Sequence, residues 1–213
     1  MSDRTFTVLD RLIGEINKAI NVLGASAPPS RSSPKVPNGE LVLSEAERLQ
    51  SGRLMRVNHA GEVAAQALYQ GQALTARDPG VGEAMRVAAA EEIDHLAWCE
   101  QRLQELQGRT SLLNPFWYAG SWAIGALAGA LGDRLSLGFV AETEKQVEAH
   151  LRDHLDLLPQ ADHRSRAILQ QMTHEEAAHG AKAASLGARP LPFPLRSAMR
   201  LASKAMTGVS YWL

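Results

Sequence analysis

The pentapeptide Glu91-Glu92-Ile93-Asp94-His95 has a second copy, Glu175-Glu176-Ala177-Ala178-His179, and no other feature limits the fold of the chain as severely. On an α-helix residues i and i+3 share a face. Glu92 with His95, and Glu176 with His179, therefore each aim a carboxylate and an imidazole at one point. Each copy lies in a proline-free stretch with helical periodicity, 81–107 and 161–186. Two such helices side by side gather carboxylates and imidazoles into one small volume, which is stable only if cations or protons neutralise it.

The rest of the chain supplies partners for these helices. Its 213 residues suit one domain able to bury a core without disulfides. With 45% hydrophobic but only 5% aromatic residues, the composition favours helix. Ser44 and Glu47 form a capping-box pattern that opens a helix over about 44–76, and Asp78-Pro79-Gly80 is a turn into the helix over 81–107, which ends at Gly108. Asp133 can cap a third helix to about Leu158, Pro159 breaks it, and the fourth runs from Ala161 to Leu186. Ahead of these, Thr7 to Leu23 reads as an amphipathic helix, and Gly24 to Gly39 as a Ser/Pro-rich linker around or onto the main body. The expected division is 1–40 for helix and linker, and 41–213 for the bundle.

Each motif helix is preceded by one that offers a further glutamate. In an antiparallel hairpin, positions equidistant from the turn lie level. This sets Glu62 beside Glu92, and, with Pro159 as the second turn centre, Glu142 beside Glu176. One Glu from each of two helices plus a Glu-x-x-His from each of the other two is the ligand set of di-iron carboxylate bundles with a ferritin-like fold. The expected site is Glu62, Glu92, His95, Glu142, Glu176 and His179, with Glu92 and Glu176 bridging, Glu62 and Glu142 terminal, and Glu91 and Glu175 accepting from the imidazole N–H groups. Four ionised glutamates balance two ferrous ions, and oxygen and imidazole donors suit Fe(II) or Mn(II), with iron favoured.

Other residues carry weaker signals. The single cysteine, Cys99, excludes a disulfide framework and a cysteine-built metal site, and reads as a small core filler. His150 and His154 sit among Glu148, Arg152 and Asp153 and read as a solvated helix end; His59 either tunes the site or serves packing. A net charge of -1 gives no ground for a nucleic-acid partner. Charges throughout residues 1–23 break any signal-peptide core, which keeps the expected location cytoplasmic.

Arg56-Val57-Asn58-His59-Ala60-Gly61-Glu62 resembles the opening motif of the demethoxyubiquinone hydroxylase family, the Coq7-type proteins of ubiquinone biosynthesis, and the two Glu-Glu-x-x-His segments match its later iron motifs. The resemblance covers Ser44 to the C-terminus and implies hydroxylation of a demethoxyubiquinol ring by O2 at two Fe2+ ions, with the six expected residues on the family's ligand positions. It also implies a polyprenyl quinol substrate, an electron donor and partner proteins of the same pathway. Thr143 to His150 departs from the His-Tyr pattern of animal members, so roles proposed for those two residues are not carried over. A ferritin-like ferroxidase is the alternative with the same ligands.

Between Arg109 and Asp133 no residue is charged, and Phe116, Trp117, Trp122, Ile124, Leu127 and Leu131 stand among glycines. By length this stretch could span a bilayer, but a span would split the six ligands between two compartments. It reads as a crossover lying on the membrane surface. Arg196, Arg200 and Lys204, beside Leu195, Met199, Leu201 and Met206 and followed by Tyr211-Trp212-Leu213, suggest a second interfacial helix. The expected location is the cytoplasmic side of the cell membrane, held peripherally on the lipid surface.

Overall fold

In the computed structural model, residues 8–24, 29–36 and 41–213 are described, except for the side chains of residues 8, 9, 11 and 12. Thr7 and Gly39 fall outside that description, as do the side chains of the apolar positions Val8, Leu9 and Leu12 of the expected first helix. Seven helices follow one another among the described residues: α1 Val8–Leu23, α2 Glu45–Thr75, α3 Pro79–Glu105, α4 Asn114–Ala130, α5 Asp133–Leu157, α6 His163–Ser185 and α7 Phe193–Ser210. Local chemistry explains most boundaries. Ser44 and Glu47 close the capping box ahead of α2, Asp78 accepts from Gly80 and Val81 at the start of α3, and Asp162 accepts from Ser165 at the start of α6. Pro79 occupies the first turn of α3, where its missing N–H costs nothing, so that helix starts two residues earlier than expected.

Asp133 departs from its expected role. It is the first residue of α5 rather than its cap, behind Gly132 at φ 122°. Its carboxylate accepts instead from the backbone N–H groups of Arg77 (3.0 Å) and Asp78 (2.8 Å), which pins the α2–α3 turn to the start of α5.

The hairpins α2–α3 and α5–α6 pack into a ferritin-like four-helix bundle. Two apolar cores lie towards its ends. One gathers Leu54, Met55, Trp98, Cys99, Leu103, Leu151, Ile168, Leu169 and Met172, and the other Tyr69, Val81, Met85, Leu137, Val140 and Ala183. Cys99 is the buried filler its surroundings suggested. Each fully buried Leu or Ile stabilises by about 1.5–3 kcal/mol, so the two ends can carry the polar belt between them.

The crossover folds as α4 and lies along α2. Gly71, Gly125 and Gly129 mark the contact, where a Cβ would strike Trp122 O, Leu68 O and the Thr75 side chain respectively. Glycine at these points lets two helix backbones touch. At 17 residues α4 measures about 26 Å, and among the described residues no helix is long and apolar enough to cross a membrane. The N-terminal part is packed too: α1 lies against α2 and α4 through Ala19 and Val22.

Candidate metal centre

Five of the six expected residues converge midway between the two cores. Glu62, Glu92, His95 and Glu176 place donor atoms within 4.8 Å of one another, and so do Glu92, Glu144, Glu176 and His179. Glu92 and Glu176 belong to both groups. Each divides its two oxygens between the histidines: Glu92 Oε2 lies 2.8 Å from His95 Nδ1 and Oε1 3.0 Å from His179 Nδ1. Glu176 Oε1 lies 3.1 Å from His95 Nδ1 and Oε2 3.5 Å from His179 Nδ1. That is the geometry of two carboxylates bridging two adjacent positions.

Glu144, not Glu142, completes the second group. α2 ends at Thr75 and α3 begins at Pro79, so the first turn centres on residue 77, with Glu62 and Glu92 fifteen residues to either side. α5 ends at Leu157 and α6 begins at His163, so the second turn centres on residue 160, and the residue level with Glu176 is Glu144. Centring that turn on Pro159 displaces the partner by two residues, or about 200° around the helix. Glu142 accordingly points elsewhere, its Oε1 accepting from Gln146 Nε2 (2.7 Å), whereas Glu144 is buried and accepts from the Tyr69 hydroxyl.

The outer ring nitrogens are held crosswise. His95 Nε2 donates to Glu175 Oε2 (2.6 Å), and His179 Nε2 to Glu91 Oε2 (2.8 Å), so each motif's leading glutamate serves the other motif's histidine. Both Nδ1 atoms are thereby turned inward. The linker contributes as well. Arg31 sends Nη1 (2.5 Å) and Nη2 (3.1 Å) to the two oxygens of Glu175 and Nε (2.6 Å) to Asp94, and the Ser30 N–H and hydroxyl also donate to Asp94. No sequence signal marked Arg31 or Tyr69, since neither belongs to a motif and both act through tertiary contact.

The electrostatics describe a cluster held neutral by protons in the absence of cations. Burial, reinforced by neighbouring carboxylates, pushes Glu62 and Glu144 well above the usual carboxylate range. Burial opposes the charging of His95 and His179, but the glutamates around them prevail, raising His95 well above its ordinary value and His179 to about 11. Glu92 and Glu176 are held low by those same imidazoles against the pull of burial. Two carboxylates and two imidazoliums then balance.

The donor set fits two divalent cations. Glu92 Oε1, Glu176 Oε2 and His179 Nδ1 are buried and have no hydrogen-bond partner among the described residues, although His179 Nδ1 lies 3.0 and 3.5 Å from the two oxygens. Inward-facing donors with no donor–acceptor geometry between them are what a shared cation would satisfy.

A cavity of about 330 Å³ runs beside the cluster, with Glu62 in its wall. Leu68, Phe116, Trp117, Ile124, Phe139, Val147, Met199 and Met206 line it, drawn from α2, α4, α5 and α7. Among the described residues His150 is the one imidazole that lines it, and its buried Nε2 has no partner there. His150 and His154 are thus not a solvated end. Their rings lie 3.9 Å apart, and His154 Nδ1 meets Asn58 Oδ1 at 2.8 Å. Spacing of i,i+4 turns both inward while Arg152 and Asp153 face water. His59 is buried and packs α4 onto α2, taking a hydrogen bond at Nδ1 from Asn114 (3.3 Å), and burial lowers its pKa to about 4.

A four-helix bundle whose middle carries two groups of carboxylates and imidazoles that share two glutamates, each group able to hold a metal ion, has the architecture of the carboxylate-bridged dimetal class. The family model for ubiquinone biosynthesis protein COQ7 matches residues 50–210, and the chain belongs to that family. It is 56% identical over 206 residues to the 3-demethoxyubiquinol 3-hydroxylase of Bordetella parapertussis, covering 96% of this chain and 93% of that one. The protein of the same name from Chromobacterium violaceum is 55% identical, with 96% and 99% covered, and that from Xanthomonas axonopodis pv. citri is 54% identical, with 99% and 97% covered. The likeness extends into the N-terminal segment that the family model leaves out.

Proposed function

We propose that the chain is a 3-demethoxyubiquinol 3-hydroxylase working with O2 and two iron ions, one on Glu62, Glu92, His95 and Glu176, the other on Glu92, Glu144, Glu176 and His179. The observation that carries this reading is the apolar cavity that has Glu62 in its wall and residues exposed at the surface, Phe116 and Ile124, in its lining. A site that only bound or oxidised iron needs no such cavity; a site acting on a greasy ring does.

Iron held there by these residues would activate O2 for transfer of one oxygen atom to the ring. One oxygen atom stays on the ring and the other leaves as water, using two electrons and two protons from a reductant. The chain's own residues do the rest. The apolar lining keeps water from the reacting atoms, and the partnerless His150 Nε2 offers one hydrogen bond to orient a ring oxygen. Glu175 and Glu91 fix the imidazoles, and Tyr69 fixes Glu144.

The polyprenyl tail is accommodated by the membrane. Leu112, Phe116, Leu127 and Leu131 of the crossover and Phe193, Leu201 and Trp212 at the C-terminal end are large apolar side chains left exposed, and such surface marks an interaction site. Peripheral attachment to the cytoplasmic face of the cell membrane through α4 and α7 brings the cavity to the lipid.

The test is turnover by the purified, iron-loaded protein of a short-chain 3-demethoxyubiquinol with O2 and a chemical reductant. Ring hydroxylation, abolished in Glu62→Ala, is the expected result. Oxidation of added Fe(II) without any hydroxylated quinol would overturn the proposal in favour of a ferroxidase.

A further inference from the structure

The two halves of the site hold their histidines unequally. Glu175, which orients His95, also accepts a two-pronged contact from Arg31 and a hydrogen bond from Gln171 Nε2 (2.6 Å). Glu91, which orients His179, is half exposed, and among the described residues its one side-chain hydrogen bond is to that histidine. His95 itself is fully buried, while His179 retains 12% of its side-chain exposure.

Arg31 comes from residues 29–36, which form no helix or strand. The segment is tied down at several points. Ser30 and Arg31 hold the buried Asp94, Trp98 Nε1 donates to Arg31 O (3.1 Å), and the guanidinium stacks 5.0 Å over the Trp98 ring. Asp94 is next to His95 in sequence, and the Trp98 ring lies 5.5 Å from that imidazole. One guanidinium therefore braces both the residue that orients His95 and the turn of helix that carries it.

We infer that this strap makes the two metal positions unequal, with Arg31 as a positioning residue that retains the ion on His95 while the ion on His179 exchanges freely. The inference rests on the two-iron reading above. A guanidinium fork bound to both carboxylate oxygens fixes Glu175 in angle as well as in place, and a fixed Glu175 keeps His95 Nδ1 aimed inward. Residues that orient a ligating histidine in this way change metal affinity by about 10–100-fold when lost.

The experiment is anaerobic release of Fe(II) from the loaded protein to an excess of ferrozine, followed by absorbance. The native chain releases one iron quickly and one slowly. Arg31→Gln accelerates the slow phase about 10–100-fold and leaves the fast phase unchanged. Arg31→Lys, which keeps the charge but loses the fork, falls between the two. Arg31 is 44% exposed, so its replacement spares the core, and unchanged circular dichroism and melting verify that. A single release phase in the native chain, or a slow phase that Arg31→Gln shifts by less than about twofold, overturns the inference while leaving the two-iron reading intact. Failure of the native chain to bind iron defeats that reading itself.

Discussion

The hairpins α2–α3 and α5–α6 bring the same motif to the site and set it in different surroundings. The first has α4 laid along its α2 and residues 29–36 laid across its α3, and its histidine is sealed. The second keeps its histidine partly open and its outer carboxylate, supplied by Glu91, half exposed. Repeated ligands thus do not make repeated sites. On the reading proposed above, what lies around the bundle, outside the motif, decides how firmly each half holds its ion.

The comparison breaks most completely at the residues that the halves share. Glu92→Ala or Glu176→Ala removes a carboxylate common to both donor groups, and should strip both irons and lower turnover by at least about a thousandfold, the scale of losing a metal's several kcal/mol of barrier lowering. Retention of one iron in either variant would mean that these carboxylates do not bridge.

Acid tests both halves together. In the metal-free protein Glu62, Glu144, His95 and His179 all bind protons more tightly than usual, so loading two divalent ions should release up to four protons. Affinity per ion should then fall by up to about a hundredfold for each unit of acidification near neutrality, as titration calorimetry in buffers of different ionisation heat can measure. The sign for stability is opposite. A raised pKa stabilises the metal-free fold at low pH, and the His179 contribution is lost as pH rises from 6.5 towards about 11, so the melting temperature of that form should drop over this range.

The halves separate under Glu175→Gln and Glu91→Gln. Each should weaken only the ion on the histidine it orients, by about 10–100-fold, which competition titration against a chelator resolves. Equal effects on both ions would refute the crosswise pairing. Smaller still is the effect at the exposed apolar surface of the crossover. Phe116→Asp and Leu127→Asp, at 68% and 64% exposure, should each reduce liposome co-flotation by about tenfold, the loss of roughly 1.5 kcal/mol of apolar burial, and leave iron content unchanged.

Much of this was legible in the residues. The helices announced themselves through Ser44 and Glu47, the proline-free motif stretches and the punctuation at Pro79 and Pro159, because capping and breaking are local chemistry. Five of the residues that converge followed from the repeat and the first turn. The sixth did not, because it depends on where the second turn centres, and Pro159 marks the beginning of that turn rather than its middle. The inward turn of His154 was hidden by charged neighbours that occupy the other face of the same helix. Arg31 left no trace, since a lone arginine in a Ser/Pro-rich stretch acquires meaning only when the chain lays it against Glu175.

The most direct measurement sets the two glutamates of α5 against each other by counting irons per chain after anaerobic reconstitution. The native protein and Glu142→Ala should each hold two, whereas Glu144→Ala should lose the ion on His179 and retain no more than one. Two irons in Glu144→Ala together with a deficit in Glu142→Ala would contradict the site described for this bundle.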